Sequence, residues 1–162
     1  MVIGIDPGMG GGLSVGYKNG AVQTHTMPQT IGDMADLFYR IRHNEDGAIG
    51  EDAIVYMEEL TGFTGGVNTG SSMFKMAKAY YPWETLCVVH EVRLEYIKPS
   101  MWMKALSMGT KKQYGTSSKW KNHLKERAQR LYPSLKITQK TADAVLIMHY
   151  GLIAENREAI RV

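Results

Sequence analysis

The chain has 162 residues, the length of one ordinary domain, and its 44% hydrophobic and 22% charged content supports a core and excludes a disordered tail. No run of 18 apolar residues offers a transmembrane helix. Net charge is only +3, yet eleven cations between Lys98 and Lys140 face the single acid Glu126, so that segment carries +10 and the remainder −7, the pattern of either a solvated helix face or a polyanion footprint.

The chain opens on the strand-like Met1-Val2-Ile3-Gly4-Ile5, so no leader segment is expected ahead of it, and a reducing cytoplasm is the expected compartment. Residues 2–6 read as a short buried strand, followed by the turn Pro7-Gly8-Met9-Gly10-Gly11-Gly12. Leu13 to Tyr17 alternates as a second strand, Asn19-Gly20 signals a hairpin turn, and Ala21 to Met27 returns as a third strand. Ile31, Met34, Leu37, Phe38 and Ile41 repeat at helical spacing behind the cap Thr30. Ala53 to Met57 is an apolar run of strand length that ends in Glu58. Beyond the polar, glycine-rich loop Gly62 to Ser72, a helix is expected over Ser71 to Tyr81, stopped by Pro82. Thr85 to His90 reads as another buried strand. Its Cys87 is the single cysteine, a core residue that excludes intrachain disulfides and cysteine-based zinc sites. Val92 to Ile97 is a short strand before Lys98-Pro99, and Met101 to Leu106 starts a helical turn. Residues 109–118 read as a mobile polar loop. Lys119 to Leu131 is a basic amphipathic helix ending before Pro133, and Thr141 to Ala154 an apolar one. The pattern is a mixed α/β arrangement around one central sheet, with residues 1–162 as one domain.

Three carboxylates sit at element ends. Asp6 closes the first strand beside glycines that let a phosphate or nucleic-acid backbone approach, although an Asp that merely caps the turn fits the same residues. Glu58 ends its strand before a second glycine-rich loop. Adjacent strand residues point to opposite faces, so only one of Glu58 and Glu59 can look at Asp6. Asp143 opens an apolar helix between Ala142 and Ala144, where a charge is costly unless paired or metal-bound; the helix dipole alone also favours an acid there. Together the three can converge on divalent ions such as Mg²⁺, and two such ions cleave phosphodiesters with no side-chain nucleophile. The five histidines show no metal-ligand spacing, and His149, six residues beyond Asp143, reads as structural.

Ile3-Gly4-Ile5-Asp6-Pro7-Gly8, Met57-Glu58-Glu59-Leu60 and Ala142-Asp143-Ala144 resemble, in order and spacing, the opening strand, second acidic strand and C-terminal helix start of RuvC-like Holliday junction resolvases. The likeness covers nearly the whole chain, and Ile97-Lys98-Pro99-Ser100-Met101-Trp102 looks most like phage-borne members. The resemblance implies an RNase H-like α/β fold, a mixed five-stranded sheet flanked by helices. It also implies a homodimeric endonuclease, dependent on Mg²⁺ or Mn²⁺, that cuts four-way or other branched DNA junctions, with Asp6, Glu58 and Asp143 as catalytic metal ligands. The helix from Ser71 to Tyr81 is one candidate for the dimer face. Lys140 departs from the pattern, standing three residues before the helix aspartate where many members carry another acid or a histidine. On one helix face it would neighbour Asp143 and either pair with it, contact the scissile phosphate or point away. Phe63, in the loop after Glu58, is either a core anchor or a wedge that stacks on a base at the branch point, and the resemblance favours the wedge. Lys104, Lys111, Lys112 and Lys119, with Lys140, are the expected DNA contacts. Trp102 and Trp120 interleave with them and either pack or stack.

Other readings share some of these residues. A two-domain ATPase of the actin and sugar-kinase kind opens with a similar strand, Asp and glycine-rich hairpin, but needs more than 162 residues. A flap or RNA–DNA hybrid nuclease would use the same three carboxylates. A non-catalytic branched-DNA binder would account for Lys140.

Overall fold

A computed structural model of the chain describes residues 1–8, 10–43, 50, 52–60 and 70–160. Five strands, β1 (Val2–Asp6), β2 (Gly12–Gly16), β3 (Val22–Thr26), β4 (Ile54–Glu58) and β5 (Arg93–Ile97), form one sheet in the order β3-β2-β1-β4-β5. The first three are an antiparallel meander, and β4 and β5 add in parallel beside β1. Five helices flank this mixed sheet: α1 (Ile31–Arg42), α2 (Gly70–Val89), α3 (Pro99–Ala105), α4 (Ser117–Leu131) and α5 (Ala142–Ile160). Thr30 caps α1, its hydroxyl accepting from the Asp33 amide. Among the described residues no helix is long and apolar enough to cross a membrane.

Strand side chains alternate between the two faces of the sheet, and this sorts the core into two layers. Ile3, Ile5, Val55 and Met57 pack with α1 and α2. Val2, Ile54, Tyr56 and Ile97 pack with α3, α4 and α5. By the same parity Asp6 and Glu58 fall on the α5 side. The contact between α5 and β1 is unusually close. A Cβ on Gly4 would lie 2.3 Å from the Met148 backbone nitrogen and 2.4 Å from the Ala144 carbonyl oxygen, so only glycine lets the helix seat there.

Four expectations differ from the structure. Pro82 does not end its helix, and no strand forms over Thr85 to His90: α2 runs unbroken from Gly70 to Val89. A proline inside a helix costs about 3 kcal/mol. Burial of Ala79, Trp83 and Cys87, spaced four apart on one face, offsets that cost. Val88 and Val89, counted as part of a buried strand, are 77% and 68% exposed. Residues 109–118 are not an unstructured loop. Lys111–Tyr114 is a 3₁₀ turn closed by a reciprocal capping box between Thr110 and Gln113, and α4 already begins at Ser117. Finally, Lys140 lies in the turn before α5 and not within the helix. The amides of Thr141 and Ala142 bond to the Thr138 carbonyl, and α5 starts only at Ala142.

Candidate functional site

Register builds the site. Ile5 pairs with Met57 across β1 and β4, so the next residues, Asp6 and Glu58, leave neighbouring parallel strands at one end of the sheet and on one face. The seating of Ala144 over Gly4 brings the first turn of α5, and with it Asp143, to the same end. Glu59 takes the opposite face, and its charge is felt by Tyr80 on α2.

The three carboxylates feel one another. Burial pushes Asp143 up to about 7, and the charges of Asp6 and Glu58 add to the rise while Lys121 opposes it. Burial also pushes Glu58 up to about 7, against a hydrogen bond from Trp102 and with a further push from Asp6. Asp6 is raised by burial too, opposed by the Gly8 amide, 3.3 Å from Oδ1, and by Lys121. The turn that follows Asp6 is shaped around its carboxylate: a Cβ on Gly11 would lie 2.6 Å from Asp6 Cγ and 2.7 Å from Oδ2. Trp102, fully buried on α3, donates its indole N–H to Glu58 Oε2 at 3.0 Å.

Such a cluster is costly without a counter-charge, because like charges taken out of water repel strongly. Among the described residues no three His, Cys, Asp or Glu side chains form a ready cage for a single ion. The donor set suits ions that need few protein ligands. Mg²⁺ takes one or two carboxylates and completes its shell with water and substrate oxygens. A cavity of about 620 Å³ lies elsewhere, between Val2, Ile54, Arg93 and Glu155, and holds none of the three acids.

No protein-family model and no curated protein sequence matches the chain. Solved structures do. Thermus thermophilus RuvC in complex with a Holliday junction substrate superposes with a TM-score of 0.61 at 16% identity, over 96% of this chain and 95% of that one. A second Thermus thermophilus RuvC structure gives 0.60 at 16% identity, over 97% and 96%. The chain has a RuvC-like fold. On the RuvC-like sheet, Asp6, Glu58 and Asp143 are the sequence-derived residues that the structure brings together.

Around this RuvC-like core the expected DNA contacts are all exposed but scattered. Lys104 is in the last turn of α3, Lys111 and Lys112 are in the 3₁₀ turn, Lys119 is in the first turn of α4, and Lys140 precedes α5. Lys140 forms no ion pair with Asp143 among the described residues. Phe63 lies outside the described residues. The cation whose field reaches both Asp6 and Asp143 is Lys121, which sequence reasoning had left among the eleven. Trp120, Leu124 and Ala128 make the buried stripe of α4, and Lys121 follows Trp120 in the chain, but the stripe alone does not single Lys121 out from the other cations of that helix. Trp120 packs, as one of the two alternatives had it, and His149 is structural, its Nδ1 2.9 Å from the Tyr132 hydroxyl.

Proposed function

We propose that the chain is a metal-dependent endonuclease that resolves four-way or other branched DNA junctions. The observation that carries this reading is the convergence of carboxylates from β1, β4 and α5 at one end of the sheet, each with a raised pKa. It occurs on a fold shared with a RuvC solved in complex with a Holliday junction substrate. Asp6, Glu58 and Asp143 would hold divalent ions, Mg²⁺ or Mn²⁺, at this end of the sheet. Bound there, the ions supply an activated water and charge stabilisation for phosphodiester hydrolysis. Lys121 adds a positive charge for the incoming phosphate. Lys104, Lys111, Lys112, Lys119 and Lys140 neutralise more distant phosphates, so binding weakens steeply with salt.

The functional unit in this reading is a two-fold homodimer, which presents two matched sites to a symmetric junction. Supporting it is an unpartnered apolar surface on α2, where Met73, Phe74 and Tyr81 are exposed beside Ile31.

The test is cleavage of a labelled four-way junction against linear duplex, flap and RNA–DNA hybrid, with Mg²⁺, Mn²⁺ or EDTA. Paired, metal-dependent nicks confined to the junction are expected. Cutting of flap or hybrid instead would keep the chemistry and change the substrate. Tight junction binding with no cutting under any metal would make the chain a binding protein.

A further inference from the structure

We propose that Trp102 is the positioning residue for Glu58: its indole N–H holds one carboxylate oxygen so that the other is presented to the divalent ion. This rests on the nuclease reading of Asp6, Glu58 and Asp143.

Glutamate needs such help more than its neighbours do. Its side chain has one more rotatable bond than aspartate, and fixing it costs conformational entropy at the moment of ion binding. Asp6 is already constrained by the Gly8 amide and by the wall of Gly11. For Glu58 the constraint comes from Trp102, whose Nε1 lies 3.0 Å from Oε2. Indole is suited to this. It donates one hydrogen bond and accepts none, so it engages a carboxylate oxygen and never competes for the metal. Groups that orient metal ligands in this way typically alter metal affinity 10- to 100-fold when removed.

The indole is rigidly placed. Trp102 has no exposed surface and is part of the core that includes Leu106, Met108 and Trp120. Its carbonyl accepts from the Leu106 amide at 3.0 Å, closing the end of α3. The chain path explains why it reaches Glu58. Ile97, the last residue of β5, pairs with Glu58 itself, and Pro99, set at the start of α3, turns the chain back over that strand end. The segment from Ile97 to Trp102 thus touches Glu58 twice, once through the backbone register and once through the indole.

The test compares wild type with Trp102→Phe, using Mn²⁺ binding without DNA, read by electron paramagnetic resonance or calorimetry, and the Mg²⁺ dependence of junction cutting. Trp102→Phe should bind Mn²⁺ about tenfold more weakly and need correspondingly more Mg²⁺ for half-maximal cutting, with kcat largely recovered at saturation. A folded Trp102→Phe with wild-type Mn²⁺ affinity would overturn the positioning role and leave the nuclease reading intact. Wild type that neither binds the ion nor cuts would sink both. If Trp102→Phe does not fold, the wild-type indole N–H resonance decides, assigned by elimination with Trp83→Phe and Trp120→Phe. It should move on Mg²⁺ addition and in Glu58→Gln, and a resonance indifferent to both overturns the proposal.

Discussion

Asp6 is the residue on which the proposed chemistry turns, because its charge is felt by both Glu58 and Asp143. Asp6→Asn should lower junction cutting roughly a thousandfold or more. It should leave junction binding intact or tighter, since one repulsion against phosphate is removed. Gel-shift and cleavage assays on the same preparation check this, and an Asp6→Asn protein that cuts normally refutes the site. Glu58 makes a second prediction. Folding raises its pKa from 4.5 to about 7, so the folded chain holds that proton more tightly than the unfolded one. Its contribution to stability is complete below the ordinary value and is lost as pH rises through about 7. In EDTA, wild type should therefore lose roughly 5 °C of Tm relative to Glu58→Gln between pH 5 and pH 8, and Mg²⁺ should restore it. A Tm difference that stays flat with pH would show that Glu58 bears no such burden. At this scale much was legible: strand length and parity put Asp6 and Glu58 at strand ends. The choice of Glu58 over Glu59 came from the resemblance; the residue pattern alone left it open, because it depends on the register between β1 and β4. Trp102 and Lys121 were hidden for a related reason. Each reaches the site through tertiary packing of α3 or α4, which no local pattern encodes.

At the scale of elements, the α5–β1 contact decides whether a site exists. Gly4→Ala places a methyl against the backbone of Met148 and Ala144, groups that cannot rotate away. It should destabilise the fold by about 2–4 kcal/mol, lowering Tm by roughly 5–10 °C, and should lower cutting further by moving Asp143 away from Asp6. Calorimetry together with cleavage at a permissive temperature measures both, and an Ala variant of unchanged Tm would mean that α5 seats differently. The strands, α1, α4 and α5 were legible from periodicity and caps. Pro82 misled because local propensity was set against a buried stripe of Ala79, Trp83 and Cys87 whose packing outweighs it. The Thr110–Gln113 capping box was in the sequence, but the surrounding glycines and lysines masked it as a loop.

For the whole molecule, the fold class followed from the order of elements, whereas assembly state depends on surfaces that a pattern cannot rank. Phe74 is 72% exposed on α2, beside Ile31 and Tyr81. If that face joins two copies, sedimentation velocity should find wild type dimeric at micromolar concentration. Phe74→Glu should shift it toward monomer and convert paired junction cuts into single nicks. A monomeric wild type that makes paired cuts would remove the dimer from the proposal.

The seating of α5 on Gly4 also has a consequence in time. Chains emerge from the ribosome from the N-terminus onward, and Asp143 belongs to α5, which follows the strands in chain order. A nascent chain of 140 residues has made Asp6, Glu58 and the whole basic segment, but its sheet lacks the cover that brings in the third acid. On the proposed reading the residues that grasp a polyanion are thus synthesised before those that cut one, and a message broken between the codons for Glu58 and Asp143 yields a product that lacks the completed trio.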